Sequence, residues 1–167
     1  MDIGSGGGID CFEASRKVGP QGRVIGIDMT DEMLALARLH APTVAKNLGY
    51  PEPNVDFRKG FADAMPVEDD QVDLIVSNCV INLSADKDKV IAEAFRVLRP
   101  GGRFAVSDVV TRGVLPARVR ESLALWTGCV AGALGDDEYV GKLVRAGFTD
   151  ASVEPTRIYR AEDAKEF

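Results

Sequence analysis

Three cysteines occur in this 167-residue chain, each in a distinctive local setting. Cys11 ends Gly-Ser-Gly-Gly-Gly-Ile-Asp-Cys, Cys79 sits in Ser-Asn-Cys-Val-Ile-Asn-Leu, and Cys129 sits in Gly-Cys-Val-Ala-Gly-Ala-Leu. Their spacings match no zinc knuckle, CxxC redox pair or disulfide framework. Two of them fall where an open α/β sheet places its ligand crevice, at strand ends or in the loops that follow. Thiolates gathered there from distant positions suit a soft, sulfur-seeking substrate better than a hard cation. The alternative is that each cysteine is a small buried hydrophobe.

The elements that must position these thiols alternate between strand and helix signals, the pattern of a doubly wound, mostly parallel α/β sheet. Strands are expected at Arg23–Asp28, Val55–Arg58, Val72–Ser77 and Arg103–Val109. Thr30 is placed to cap one helix and Ser84 another, the second stopped by Pro100-Gly101-Gly102. Pro116 can open a helix running to about Gly128. A further helix is expected from Asp136 to Gly147, and one or two strands in the tail to about Arg160. Residues 1–167 read as a single domain that is incomplete at both ends. Met1-Asp2-Ile3 is a truncated first strand, and Ala161 to Phe167 is the opening of a helix.

Composition narrows the classes of partner. A net charge of −6 with scattered Lys and Arg argues against a nucleic-acid surface. No run approaches the roughly 18 apolar residues of a membrane helix, and residues 1–10 do not read as a signal peptide. The odd number of cysteines favours a reducing cytoplasm. The expectation is a soluble, monomeric cytoplasmic domain that binds neither nucleic acid nor membrane.

Asp2-Ile3-Gly4-Ser5-Gly6-Gly7-Gly8 leaves the strand stub and enters a helix near Ile9, with glycines that allow close backbone approach. Asp28 ends the next strand 20 residues after Gly8, where a carboxylate can accept ribose hydroxyls. The dinucleotide fingerprint Gly-x-Gly-x-x-Gly fails in both registers, because Ile9 or Cys11 occupies the last glycine position. The string fits acidic-x-Gly-x-Gly-x-Gly and resembles the first motif of S-adenosyl-L-methionine-dependent methyltransferases with a Rossmann-like fold. Arg99-Pro100-Gly101-Gly102-Arg103 and Arg145-Ala146-Gly147-Phe148 also resemble that superfamily. The resemblance implies cofactor contacts from Asp2, Gly4, Ser5, Gly6, Gly8, Asp28 and Met29. Phe61 and Ala62 of Gly60-Phe61-Ala62-Asp63 would flank the adenine, though Phe61 could equally be a core residue. Asn78 could bind the cofactor's methionine end or cap the following turn.

Together with Asp28-Met29-Thr30, the cysteine-bearing strings resemble the arsenite methyltransferases. That resemblance implies methyl transfer to trivalent arsenic bound by Cys79 and Cys129, with Cys11 as a redox partner of an upstream cysteine. It also implies arsenite or its thiol conjugates as substrate, and thioredoxin or glutathione as reductant. Such a nucleophile has no proton to lose, so no general base is needed, and His40 reads as a solvated or packing residue. Trp126 could wall the site or pack a helix. The competing readings are a small-molecule C- or O-methyltransferase, a non-catalytic cofactor- or arsenic-binding fragment, and a nicotinamide oxidoreductase.

Overall fold

The computed structural model describes residues 1–113, 130 and 132–158. Five strands, β1 (Asp2–Ile3), β2 (Val24–Asp28), β3 (Val55–Lys59), β4 (Val72–Asn78) and β5 (Leu98–Ser107), form one sheet in the order β3-β2-β1-β4-β5. Every strand pairing in it is parallel. The helices are α1 (Ile9–Val18), α2 (Asp31–Leu48), α3 (Lys87–Val97) and α4 (Asp136–Ala146). A 3-10 turn spans Ile81–Leu83.

Both faces of the sheet are covered, as a parallel sheet requires. On one face Val24 and Phe57 pack with Cys11 of α1 and with Leu34 and Ala37 of α2. On the other, Ile3, Ile27 and Ile75 pack with Ala94 and Val97 of α3. Successive strand residues point to opposite faces, so β2 serves both layers through Val24 and Ile27. The central β1 has two residues, paired to Gly26 and Ile27 on one side and to Val76 and Ser77 on the other. A cleft of about 930 Å³ opens beside it among the amino ends of the strands, lined by Val24, Ile25, Val72 and Leu74. Cys79 lies at the opposite, carboxyl end, directly after β4.

Several boundaries differ from the sequence expectation. Asp86, not Ser84, caps α3, its carboxylate accepting the Lys89 N–H at 3.0 Å. Thr30 does occupy the position before α2, yet its side chain makes no capping bond. The Pro100–Gly102 turn does not separate helix from strand. The chain enters β5 at Leu98, and the turn forms an irregularity where the pairing shifts between Val72 and Leu74. The tail strands do not form within residues 151–158, where Pro155 also lacks a backbone donor for a ladder. The expected helix from Pro116, together with Trp126, Cys129 and Ala161–Phe167, lies outside the described residues.

Candidate functional site

The site is built where the strand order reverses, between β1 and β4, the topological switch point of an open α/β sheet. The chain leaves β1 and turns sharply, with the Gly4 and Ser5 N–H groups both donating to the Ile27 carbonyl at 2.8 and 2.9 Å. Gly4 has φ +75°, and a β-carbon there would lie 2.2 Å from a Val80 methyl. The glycine is thus required twice, by backbone conformation and by contact with the loop after β4. Gly6 has φ +50° but faces open space, which leaves its outer surface available to a ligand. Ser5 is buried with its hydroxyl unpartnered among the described residues, and Gly8 precedes α1.

Asp28 closes the other wall. One carboxylate oxygen accepts the Gly6 N–H at 2.9 Å and the other accepts the Thr30 N–H at 2.8 Å. A carboxylate has about four lone-pair positions, so two hydroxyls can still be received. Met29 is exposed beside it. Beyond β3, Phe61 is 57% exposed and so is not a core residue, whereas Ala62 packs inward.

Across the switch point, the Asn78 amide donates to the Asp10 carboxylate at 2.6 Å and ties the start of α1 to the end of β4. That bond goes to α1, and the 3-10 turn that follows has no side-chain cap. Cys79 follows Asn78, exposed, at φ +56°. Its N–H donates to the Ser107 carbonyl at 2.9 Å, so the end of β5 fixes it.

Two expected site residues lie beneath the loop instead of in the crevice. Asp2 is 2% exposed and accepts a hydrogen bond from the Cys11 thiol at 3.6 Å. Burial, reinforced by the nearby Asp10 charge, pushes the Asp2 carboxyl up to about 6. Cys11 is fully buried, and burial followed by the Asp2 charge pushes its thiol well above the ordinary range. In this arrangement the thiol is covered and held protonated. The redox role expected of Cys11 thus finds no reactive thiol in this arrangement. The burial of Cys11 was not legible in the sequence, because the apolar Ile9 two positions earlier is 80% exposed and helix phase alone decides which is buried. His40 is exposed on α2.

The residues at the loop fit the sulfonium cofactor better than a dinucleotide. Asp10 and Asp28 are both close enough to raise the Asp2 carboxyl, so the loop sits in a negative field. Such a field favours an ammonium or sulfonium group and opposes a pyrophosphate. With open space over Gly6 and spare acceptors on Asp28, the loop, Asp28 and the Phe61 segment could hold an amino-acid end, a ribose and an adenine.

Sequence reasoning missed Asp10, Val80, Asp108 and Tyr139. Asp108 is the first residue after β5, as Cys79 is after β4, and that position was the available signal.

Comparison with known proteins bears on this geometry. A family described as a methyltransferase domain matches residues 1–147. An arsenite methyltransferase of Halobacterium salinarum is 46% identical over 155 residues, 93% of this chain and 38% of that protein. The human arsenite methyltransferase is 38% identical over 151 residues, 89% of this chain and 40% of that protein. The crystal structure of an arsenic (III) S-adenosylmethionine methyltransferase from Chlamydomonas reinhardtii superposes with a TM-score of 0.88 at 40% identity. It covers 99% of this chain and 57% of that one. The chain thus spans about two fifths of the length of these curated relatives. From its glycine loop through α4, the chain belongs to the methyltransferase domain family, and it is similar there to arsenite methyltransferases.

Proposed function

We propose that this chain carries the cofactor site and the two arsenic-binding thiolates of an S-adenosylmethionine-dependent methyltransferase acting on trivalent arsenic. The observation that carries the reading is the presentation of Cys79. It is exposed at the carboxyl end of β4, beside a loop that packs Val80 against Gly4. Cys129 is the second proposed ligand, and its own position lies outside the described residues. As a single unit, residues 1–167 would supply both thiolates and the cofactor loop.

The bound cofactor supplies an electrophilic methyl on a sulfonium. Asp28 would accept the ribose hydroxyls, and the glycine loop, with Ser5 beneath it, would admit the amino-acid end. Phe61 would cover the adenine ring, the Ala62 backbone would meet its edge, Met29 would border it, and Asn78 would line the wall nearest Cys79. Cys79 and Cys129 would hold arsenic with its lone pair directed at the methyl carbon. The sulfonium methyl would pass to the arsenic lone pair, leaving a neutral thioether and arsenic two electrons more oxidised. A cellular dithiol or glutathione would restore the trivalent state. Positioning and exclusion of water are then the protein's main contributions. Cys11 takes part in redox chemistry only in a conformation that uncovers its thiol.

Among the described residues no helix is long and apolar enough to cross a membrane. A monomeric enzyme in a reducing compartment is the proposed setting. The test is a methylation assay with radiolabelled cofactor and arsenite, on this chain and on one extended upstream. Thiol-dependent labelling of arsenic supports the reading, and labelling that persists in Cys79→Ser overturns it. Cofactor binding without arsenic binding favours a small-molecule methyltransferase instead.

A further inference from the structure

We propose that Asp108 is a positioning residue for the Cys79 loop, gathering the turn that follows Cys79 so that the thiol is held in its left-handed, outward conformation. The inference rests on the thiolate reading above and extends it by naming what presents the thiol.

Cys79 has φ +56°, a conformation that residues with a β-carbon avoid. Such a residue persists only where its surroundings over-determine it. Here the restraints come from the end of β5. The Ser107 carbonyl takes the Cys79 N–H at 2.9 Å, and the Asp108 carboxylate takes the Asn82 N–H at 3.2 Å. The Ile81 and Val109 N–H groups also act on that carboxylate. Asn82 is fully buried, and its side-chain amide donates to the Val109 carbonyl at 2.7 Å. The turn after Cys79 is therefore held from one short stretch, residues 107–109.

A second observation marks this cluster. The second oxygen of Asp108, the side-chain carbonyl of Asn82 and the Tyr139 hydroxyl are all buried without a partner among the described residues. Buried polar atoms left unpaired call for an explanation. The set holds two acceptors and one donor, and Tyr139 is close enough for the Asp108 charge to oppose its ionisation. Tyr139, on α4, thus brings a buried hydroxyl near Asp108 without bonding to it. Lys87 of α3 is the cation that favours ionised Asp108. The next residues continue the strut, because the Thr111 N–H and carbonyl bond to Leu134 and Asp136 at the start of α4. A carboxylate suits this place because it accepts several N–H groups and presents no donor against them, which an amide cannot do.

The test compares wild type, Asp108→Asn, Tyr139→Phe and a control, Val97→Ala, that lowers stability away from the cluster. Amide hydrogen exchange at Ile81 and Asn82 is read beside peptide-resolved alkylation of Cys79. Asp108→Asn should speed exchange at those amides about tenfold, the loss expected from one charged acceptor. It should also change Cys79 alkylation severalfold, with Tyr139→Phe acting in the same direction and Val97→Ala doing neither. Unchanged exchange and alkylation in Asp108→Asn, or equal changes in Val97→Ala, overturn the proposal. Arsenite binding is measured on the same samples. If wild type binds none while the loop measurements behave as stated, the thiolate reading falls and the positioning role of Asp108 stands.

Discussion

Gly4 and Val80 touch so closely that a β-carbon on the glycine would lie 2.2 Å from the valine methyl. This contact joins the two halves of the site, the glycine loop after β1 and the thiol loop after β4. Gly4→Ala forces Val80 to move and also strains a backbone at φ +75°. It should cost about 1–3 kcal/mol of stability by overpacking, read by chemical denaturation. Gly6→Ala, with the same backbone demand but open space, should cost about 1 kcal/mol. Equal losses would contradict the steric part of this account.

Asp28→Ala removes the acceptor for the Gly6 and Thr30 N–H groups and for the proposed ribose hydroxyls. Cofactor affinity should fall by about 2–3 kcal/mol, the worth of two charge-assisted hydrogen bonds. Calorimetry with unchanged affinity would remove Asp28 from the site. Tighter binding of a nicotinamide dinucleotide than of the sulfonium compound would remove the cofactor assignment with it.

Asp28 was legible in the sequence because a carboxylate at a strand end after a glycine-rich turn has a fixed place in an α/β sheet. The parallel, doubly wound sheet followed from the same alternation of elements. Asp108 and Tyr139 were not legible, since no spacing links the end of β5 to α4 and only the folded chain brings them together. The burial of Cys11 was not legible for a related reason. Its burial depends on the rotation of α1 against Gly26 and Phe57, and the flanking Ile9 and Asp10 are both exposed. The tail strands failed because alternation in residues 151–158 names no partner strand.

The Asp2 and Asp108 carboxyls are each raised to about 6, chiefly by burial. Both are higher in the folded state than the usual carboxylate value of about 4. The folded chain therefore binds these protons more readily than the unfolded one. Their stabilising share is complete below about pH 4 and is lost as pH rises through about 6. Denaturation of Asp2→Asn and wild type from pH 4 to 8 should show the variant losing less stability across that window. Parallel pH curves would show that Asp2 does not titrate differently on folding.

Cys11→Ala should leave cofactor binding intact and destabilise the fold modestly, because the thiol fills space against Gly26 and Phe57. A loss of roughly 1–2 kcal/mol is expected for so small a buried group. In single-turnover methyl transfer the variant should match wild type. Loss of the first turnover would place Cys11 in the chemistry itself.

The most direct test of the thiolate account is X-ray absorption at the arsenic edge on this chain loaded with arsenite. Wild type should show sulfur neighbours around arsenic, and Cys79→Ser should show one fewer, with an oxygen in its place. The same sulfur coordination in both would contradict the assignment of Cys79 as an arsenic ligand.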